Sequence, residues 1–429
     1  MDRRHFVACL AGGTALSVTS LSRLNAAVYR SIEQLNRAYQ QDDSPDGAYW
    51  EALRKHFIMQ DDLIMMNNGT VGPMPEPVFN TLVRYFKIQA TNPYDCYNFL
   101  PQKKDETRAR LASFINASPD EVAINRNTTE GMNLVANGLD FEVGDEVIIS
   151  SQEHPAGYYP WKVQEKRHGI RIVEVPLGAP PSDEGEILDA FAAAITPRTR
   201  VISVSHTVYI TGLIFPVKPL SEIARERGIL MVADSAHGMG MLNLDMRDLG
   251  VDVLASSPYK WCGAAAGCGL LYVRREAQDR LWPSIASSGW DTHESAKRFE
   301  TLGQQADPLV FALGEAIDFQ NKVGKRRIER RIGTLADHLM QGLAPIPKVR
   351  LHTPADRSLR AGLVAFSVEG VDPGYIVNYL REKYNIVIRT IGRERDNTLG
   401  VRVSTHIFVS TKQVDMVLEG VDYLARRAA

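Results

Sequence analysis

Residues 229–273 read ILMVADSAHGMGMLNLDMRDLGVDVLASSPYKWCGAAAGCGLLYV, and this stretch decides the fold class of the 429-residue chain. It opens with an unbroken apolar run that ends at Asp234, a pattern typical of a strand buried on both faces of a parallel sheet. A second run, at 251–254, precedes the segment that ends in Lys260, and a third lies at 270–273. Ligands of open α/β sheets bind beyond the carboxyl ends of the strands. We therefore expect Asp234 and Lys260 to face one pocket.

An aspartate and a lysine in one pocket suit pyridoxal phosphate. This cofactor forms a Schiff base with a lysine, while an acidic residue keeps its pyridine nitrogen protonated so that the ring draws electrons from the substrate's α-carbon. Each residue alone has an ordinary explanation, since an aspartate after a strand often caps a helix and a lysine after Ser-Pro-Tyr is usually solvated. The two together predict a pyridoxal-phosphate site made of Lys260 and Asp234.

Two motifs in this stretch resemble a known family. Ala-Asp-Ser-Ala-His-Gly at 233–238 and Ser-Ser-Pro-Tyr-Lys-Trp at 256–261 are similar to motifs of the class V aminotransferases, and the chain looks most like the isopenicillin N epimerase-like branch. The likeness extends over roughly residues 60–425. It implies a homodimeric α/β enzyme of fold type I, with a large domain built on a mixed, mostly parallel seven-stranded sheet flanked by helices and a smaller C-terminal α+β domain.

The rest of the chain agrees with this domain organisation. Strand-like and helix-like segments alternate from residue 122 to residue 273, as in a parallel or mixed sheet with helices on its faces. We also predict a helix over 76–90 and an aromatic-rich loop over 91–101. The sequence predicts four units: a signal peptide at 1–27, a helical arm at 28–60, a large cofactor-binding domain at 61–315 and a small domain at 316–429.

The junction that follows the strand at 122–124 is a candidate phosphate site. A strand–turn–helix junction presents free backbone N–H groups and the positive end of the helix dipole, and Thr128 and Thr129 add two hydroxyl groups there. The alternative is that Thr128 only caps the helix. The family resemblance implies that Thr128 and Thr129 bind the cofactor phosphate, together with Ser257 and Tyr259.

The resemblance also implies roles for three further residues around the cofactor. His154 would stack on the pyridine ring, although a histidine beside a proline is more often an ordinary loop residue. His237 would lie near the ring oxygen or assist proton transfer. Gln304 stands where many relatives have a threonine that reaches the phosphate across a dimer interface. Tyr209 replaces the asparagine of desulfurase-like relatives, which contacts the ring oxygen.

The substrate side of the pocket is predicted at two places. The resemblance implies that Arg402 grips the substrate's α-carboxylate, for which guanidinium geometry is well suited, and that the loop containing Asn68 lines the pocket. The ordinary alternatives are a surface arginine on a strand and a simple turn before a helix. In this scheme Lys260, Asp234 and His154 are the catalytic residues.

Composition and missing motifs argue against several other classes of protein. A formal net charge of −2 gives no sign of nucleic-acid or membrane-surface binding, and no apolar run approaches the roughly 18–20 residues of a membrane span. Motifs of zinc proteases, serine hydrolases and dinucleotide-binding proteins are missing, and no metal site is predicted. The segment 389–401 lacks the nucleophilic cysteine of a desulfurase. Cys262 and Cys268 flank a Gly/Ala turn and are either packing residues or a disulfide pair.

The first residues suggest export. Arg3 and Arg4 precede a mildly apolar stretch, as in a twin-arginine signal, with cleavage expected near Ala26 or Ala27. The alternative is a basic N-terminal helix that stays attached. Because the twin-arginine route carries folded proteins, a cofactor could be loaded before export, and we predict a periplasmic enzyme.

Several reactions stay open, because pyridoxal phosphate supports transamination, racemisation, decarboxylation and elimination. Resemblance to exported relatives and the predicted compartment favour an aminotransferase-like enzyme that tailors the glutamate side chain of a pyoverdine siderophore. An epimerase or C–S lyase that acts on a free amino acid is the second hypothesis. A catalytically silent binding protein is the third.

Overall fold

The computed structural model describes residues 18–39, 47–181, 183–392 and 400–428. The helices are α1 Val18–Ala38, α2 Ala48–Arg54, α3 Glu76–Thr91, α4 Pro93–Phe114, α5 Thr128–Gly138, α6 Pro155–His168, α7 Glu184–Ala194, α8 Val217–Glu226, α9 Met246–Leu249, α10 Asp307–Val323, α11 Lys325–Leu343, α12 Pro373–Tyr384 and α13 Thr411–Ala425. The strands are β1 Ile64–Met65, β2 Val122–Asn125, β3 Glu146–Ser150, β4 Arg171–Val175, β5 Thr199–Ser205, β6 Leu230–Asp234, β7 Val253–Ser256, β8 Gly269–Val273, β9 Val349–Leu351, β10 Leu363–Val368, β11 Ile386–Val387, β12 Arg389–Ile391 and β13 Gly400–Ser404. Short 3-10 helices lie at Pro119–Glu121, Arg275–Arg280, Ala296–Glu300 and Arg357–Leu359.

A seven-stranded sheet forms the centre of the large domain, with strand order β2-β8-β7-β6-β5-β3-β4. The strand β8 is antiparallel to both of its neighbours, and the other pairs are parallel. All residues of β3, β6, β7 and β8 are buried, because helices cover both faces of the sheet. The fold class predicted from the sequence is confirmed, and the carboxyl ends of β5, β6 and β7 lie side by side at one edge.

The C-terminal part of the chain forms a second, smaller sheet. Its order is β12-β13-β10-β9, and the pairs in it are antiparallel. Buried residues of α11, α12 and α13 pack with this sheet in a common apolar core. The predicted smaller α+β unit is therefore confirmed. The strand β1, which precedes the large sheet in the chain, pairs in parallel with β11 of this unit.

The N-terminal arm packs on the rest of the molecule. Helix α1 buries Val28 and Ile32 in the same core as the small sheet. It runs without a break through the expected cleavage position at 26–27, and upstream of that position the Asn25 side chain donates to the Pro77 carbonyl at 3.1 Å and to Thr81 Oγ1 at 3.0 Å. The twin-arginine pair lies outside the described residues. None of the helices in the described part of the chain is both long and apolar enough to cross a bilayer.

The prediction of a loop over 91–101 is wrong. Helix α3 continues to Thr91, and α4 begins at Pro93. Proline is accommodated in the first turn of a helix, where its missing N–H has no helical partner to lose, so Pro93 starts this helix instead of preventing one. Tyr94 and Tyr97 in its first turns are exposed.

Candidate active site

The predicted pair lies at the expected edge of the sheet. Asp234 is the last residue of β6, and its Oδ1 accepts a hydrogen bond from the Ala236 N–H at 3.0 Å. Burial raises the pKa of Asp234, while this hydrogen bond and the nearby Lys260 amine lower it. Burial lowers the pKa of Lys260 to about 8, against the opposing attraction of Asp234. The two side chains therefore interact within one site, as expected for residues at the carboxyl ends of neighbouring parallel strands.

His237 lies beside the lysine. Its Nε2 is 3.4 Å from Lys260 Nζ, and its Nδ1 is 3.2 Å from Nε1 of Trp261, which donates to it. Burial and the neighbouring cations Lys260 and Arg402 hold the pKa of His237 well below its usual range, so that the ring is neutral. The prediction that His237 belongs to the cofactor site thus gains a specific contact with the reacting amine.

His154 begins helix α6 as its N-cap. Its Nδ1 accepts the Ala156 N–H at 3.1 Å, which fixes the plane of the ring at the end of β3. The ring of Tyr209 stands edge-on to it, with centroids 4.8 Å apart and an interplanar angle of 83°. These two contacts fix the ring of His154 beside Tyr209, and its stacking on a pyridine ring stays a prediction.

The residue before His154 is part of the site and was missed by the sequence reasoning. Glu153 is buried, accepts hydrogen bonds from Ser150 Oγ at 2.5 Å and Ser205 Oγ at 2.7 Å, and has a pKa raised to about 7, chiefly by burial. It lies close to Asp234: a Cβ added at Gly157 would be 3.3 Å from Glu153 Oε2 and 3.5 Å from Asp234 Oδ2. Glu153 lies three residues after the end of β3, and its residue type alone did not indicate burial.

The predicted phosphate end forms at the start of α5. The N-cap is Asn127, whose Oδ1 accepts the Glu130 N–H at 2.9 Å, so the interpretation of Thr128 as the cap is wrong. Thr128 instead meets Ser257, since the two hydroxyl oxygens are 2.8 Å apart and the Thr128 N–H donates to Ser257 Oγ at 3.1 Å. Thr129 is exposed at the same helix N-terminus. Two hydroxyls and a helix N-terminus together favour an anion such as phosphate.

The phosphate-binding roles of two other residues, Tyr259 and Gln304, stay predictions. Tyr259 is half-buried, and its carbonyl accepts the Gly72 N–H at 3.0 Å, which ties the loop before α3 to the lysine loop. Gln304 is exposed in the segment before α10 and is not among the residues that the described part of one chain brings together. Its predicted role across a dimer interface is not tested by a single chain.

Arg402 occupies the substrate side. It lies on β13 and is only 1% exposed. Its Nη1 donates to the Tyr209 carbonyl at 2.8 Å, and its Nη2 lies 3.4 Å from Asn67 Oδ1. Burial and the neighbouring Arg389 lower the pKa of Arg402 to about 9. Nε of Arg402 and both amide atoms of the fully buried Asn68 lack a hydrogen-bond partner among the described residues. Such unpartnered buried groups are costly unless a ligand satisfies them.

A second arginine at this place was not predicted. Arg389 on β12 is the cross-strand partner of Arg402, and its Nη1 lies 3.3 Å from Thr70 Oγ1. It therefore faces the same loop as Asn67 and Asn68. This pairing depends on the register of two strands that are joined by the segment 393–399, which lies outside the described residues. No local sequence motif indicates that Arg389 pairs with Arg402.

The site fits pyridoxal phosphate. An amine with a lowered pKa, a buried carboxylate, a histidine ring held by its backbone contact and an anion-binding helix N-terminus occur at one sheet edge. The Aminotransferase class-V family model matches residues 65–417.

The chain belongs to the class-V aminotransferase family. A relative, the isopenicillin N epimerase of Streptomyces clavuligerus, is 30% identical over 394 residues, which cover 88% of this chain and 98% of that protein. The apo cysteine desulfurase of Thermococcus onnurineus NA1 superimposes with a TM-score of 0.79 at 25% identity, covering 88% of this chain and 98% of that structure. A lysine mutant of the enzyme C-DES, with glycine covalently linked to its pyridoxal-phosphate cofactor, superimposes with a TM-score of 0.78 at 24% identity. The match covers 86% of this chain and 98% of that structure.

Membership of this family makes the protein a pyridoxal-phosphate-dependent enzyme of fold type I. The two cysteines whose side chains the structure describes do not support persulfide chemistry. Cys262 and Cys268 are free and fully buried, and burial raises the pKa of both thiols, so they are packing residues and not a disulfide. The segment 389–401 contains no cysteine.

Proposed function

We propose that this class-V enzyme acts on the amino-bearing carbon of an amino-acid moiety whose carboxylate binds at Arg402. The observation that carries the proposal is the group of unpartnered, buried donors at Arg402 and Asn68, close to the loop of Lys260. A carboxylate there would accept hydrogen bonds from Arg402 Nε and Asn68 Nδ2 and bring its α-carbon toward the lysine amine.

In this proposal each residue around the cofactor has a separate role. Bound pyridoxal phosphate supplies an electron sink for a carbanion at the α-carbon. Asp234 stabilises a proton on the ring nitrogen, and His154 supports the ring face. Thr128, Thr129 and Ser257 bind the phosphate. When its amine is free, Lys260 removes or returns a proton at the α-carbon, because a pKa of about 8 leaves an appreciable neutral fraction near neutral pH.

The general function has a direct test. The purified protein is incubated with amino acids in heavy water, and hydrogen exchange at the α-carbon is followed by mass spectrometry. We expect exchange with the wild-type protein and none with Lys260→Ala. Protein that binds the cofactor yet exchanges no substrate hydrogen would favour the third hypothesis, a silent binding protein, and colourless protein that never takes up cofactor would favour it further.

For the substrate, we propose the glutamate side chain of a pyoverdine siderophore, modified in the periplasm. The support is the twin-arginine pair at Arg3 and Arg4 and the resemblance noted in the sequence. Deleting the gene in a producing strain should change the mass of the siderophore side chain. Wild-type protein, but not Lys260→Ala, should restore it, and an unchanged siderophore would refute the proposal.

Epimerisation of an amino acid is the second candidate, favoured by the 30% identity to isopenicillin N epimerase. Chiral chromatography separates the two proposals, since an epimerase converts each enantiomer into the other without loss of amino nitrogen. A C–S lyase would instead release a sulfur product from cystine or cysteine.

We further propose that the enzyme works as a homodimer in which Gln304 of one copy approaches the phosphate site of the other. The support is the family resemblance together with the exposure of Gln304. Light scattering should give twice the chain mass of 47.7 kDa. Gln304→Ala should weaken cofactor retention, and a monomer with unchanged cofactor affinity would contradict the proposal.

A further inference from the structure

The indole of Trp261 touches the histidine that contacts the reacting amine. Trp261 follows Lys260 in the chain and is fully buried. Its Nε1 lies 3.2 Å from His237 Nδ1, and on the other side of the same imidazole Nε2 lies 3.4 Å from Lys260 Nζ. A continuous line of polar contacts thus runs from the indole through the imidazole to the amine.

The chemistry of these groups fixes where the imidazole proton sits. An indole N–H can only donate a hydrogen bond. His237 Nδ1 must therefore be the acceptor, because a proton on Nδ1 would place two donors 3.2 Å apart. This excludes both the tautomer protonated at Nδ1 and the imidazolium ion. The remaining form is the neutral ring with its proton on Nε2, and that N–H faces Lys260 Nζ.

We propose that Trp261 is a positioning residue that holds His237 as the neutral Nε2–H tautomer, so that a ring N–H is directed at the Lys260 amine. An amine that accepts this hydrogen bond must offer its lone pair, and the contact therefore favours the unprotonated, nucleophilic form of the lysine. When the amine is engaged elsewhere, the same N–H remains a donor for an acceptor atom of the bound ligand. The inference rests on the pyridoxal-phosphate site proposed above but not on the identity of the substrate.

Trp261 is itself held firmly. Its carbonyl accepts hydrogen bonds from His406 Nε2 at 3.0 Å and from Gln320 Nε2 at 3.3 Å. The His406 ring stacks on the indole, with centroids 5.7 Å apart and an angle of 29°. A Cβ added at Gly362 would lie 2.8 Å from the indole ring, which leaves the indole no room to turn away on that side. The donor therefore points at His237 before any ligand binds.

The proposal is tested by determining the tautomer of His237 with long-range proton–nitrogen NMR on protein labelled with 15N-histidine. The His237 signals are assigned by their loss in His237→Asn. The cofactor-free and the cofactor-loaded protein are both measured, so that the readout does not depend on turnover. We expect the Nε2–H pattern in the wild-type protein. In Trp261→Phe the ratio of the two tautomers should shift toward Nδ1–H by about fivefold, which corresponds to the loss of one buried hydrogen bond of ordinary strength.

Trp161→Phe is the matched control. Trp161 is also fully buried, lies in an apolar cluster with residues of the large sheet, and donates from Nε1 to Ser203 Oγ at 3.1 Å. It should leave the His237 pattern unchanged. A wild-type ring protonated at Nδ1 would overturn the proposal even if Trp261→Phe failed to fold, and so would an unchanged tautomer ratio in Trp261→Phe. Missing activity on every tested substrate would instead count against the proposed function alone.

Discussion

Replacing Lys260 by methionine should stabilise the cofactor-free protein. An ordinary lysine has a pKa of 10.5, whereas that of Lys260 is about 8, mainly because burial disfavours the charged amine. At about 1.4 kcal/mol for each tenfold change in proton affinity, this difference amounts to about 3 kcal/mol of lost stability. The side chain is partly accessible through the cleft, and water there reduces the cost, so we expect Lys260→Met to gain about 2 kcal/mol at pH 7.

The dependence on pH gives the sign of the effect. Between pH 8 and pH 10.5 the unfolded chain binds a proton on Lys260 that the folded chain does not bind, so the stability of the wild-type protein rises with pH in that window. The cost is fully present below pH 8 and is gone above pH 10.5. The advantage of Lys260→Met should therefore shrink steadily as the pH is raised from 7 to 10.

Urea unfolding of both cofactor-free proteins at several pH values measures the difference. Lys412→Met, at an exposed position at the start of α13, is the control and should stay within about 0.5 kcal/mol of the wild-type protein. Lys260→Met protein that is no more stable than the wild type at pH 7 would refute the reasoning. An advantage that stays constant up to pH 10 would refute it as well, since it would not come from a titrating amine.

Three further predictions concern the carboxylate site, the loop beside the lysine and the N-terminal helix. Arg402→Gln should raise KM by about 10–100-fold, which corresponds to the free energy of a charge-assisted hydrogen bond, and should leave the cofactor content unchanged. An unaltered KM would show that the carboxylate binds elsewhere. Gly72→Ala should cost about 1–3 kcal/mol and weaken cofactor retention, because its Cβ would lie 2.4 Å from the Lys260 carbonyl oxygen. Gly333→Ala, inside α11, is the control in the same urea assay and should not lower stability, because the nearest atom to its added Cβ is 3.6 Å away and alanine favours a helix. Asn25→Ala should lower the stability of the full-length chain by about 1–2 kcal/mol, and an unchanged unfolding midpoint would contradict the packing of the first turns of α1.

Local sequence patterns were enough to predict the centre of the site. Asp234 and Lys260 follow two apolar runs, and the edge at which parallel strands end is common to all of them, so their meeting follows from the strand pattern alone. Thr128 was predicted in the same way, from a strand–turn–helix junction. Its contact with Ser257 was beyond such patterns, because it requires the order β2-β8-β7 within the sheet.

The missed residues share a physical reason. Arg389 meets Arg402 only through strand register, and the contact of Trp261 with His237 joins side chains from two different loops. Glu153 is recognisable only when its burial is known, since an acidic residue near a loop usually faces water. The error at 91–101 has another origin: proline is compatible with both a loop and the first turn of a helix, and the sequence does not distinguish the two.

The pairing of β1 with β11 has a consequence for how the enzyme handles its substrate. This pairing and the hydrogen bond from the Ser404 N–H to the Met66 carbonyl at 2.8 Å join the Asn68 loop to the small sheet that carries Arg389 and Arg402. Asp234 and Lys260 belong to the large sheet instead. In the proposed function, Arg402 and Asn68, which would bind the substrate carboxylate, thus belong to or are joined to the small sheet, whereas the amine that would act on the α-carbon follows a strand of the large sheet. The hydrogen bond from the Gly72 N–H to the Tyr259 carbonyl couples the Asn68 loop to the lysine loop, so a displacement of the small sheet would be transmitted to Lys260.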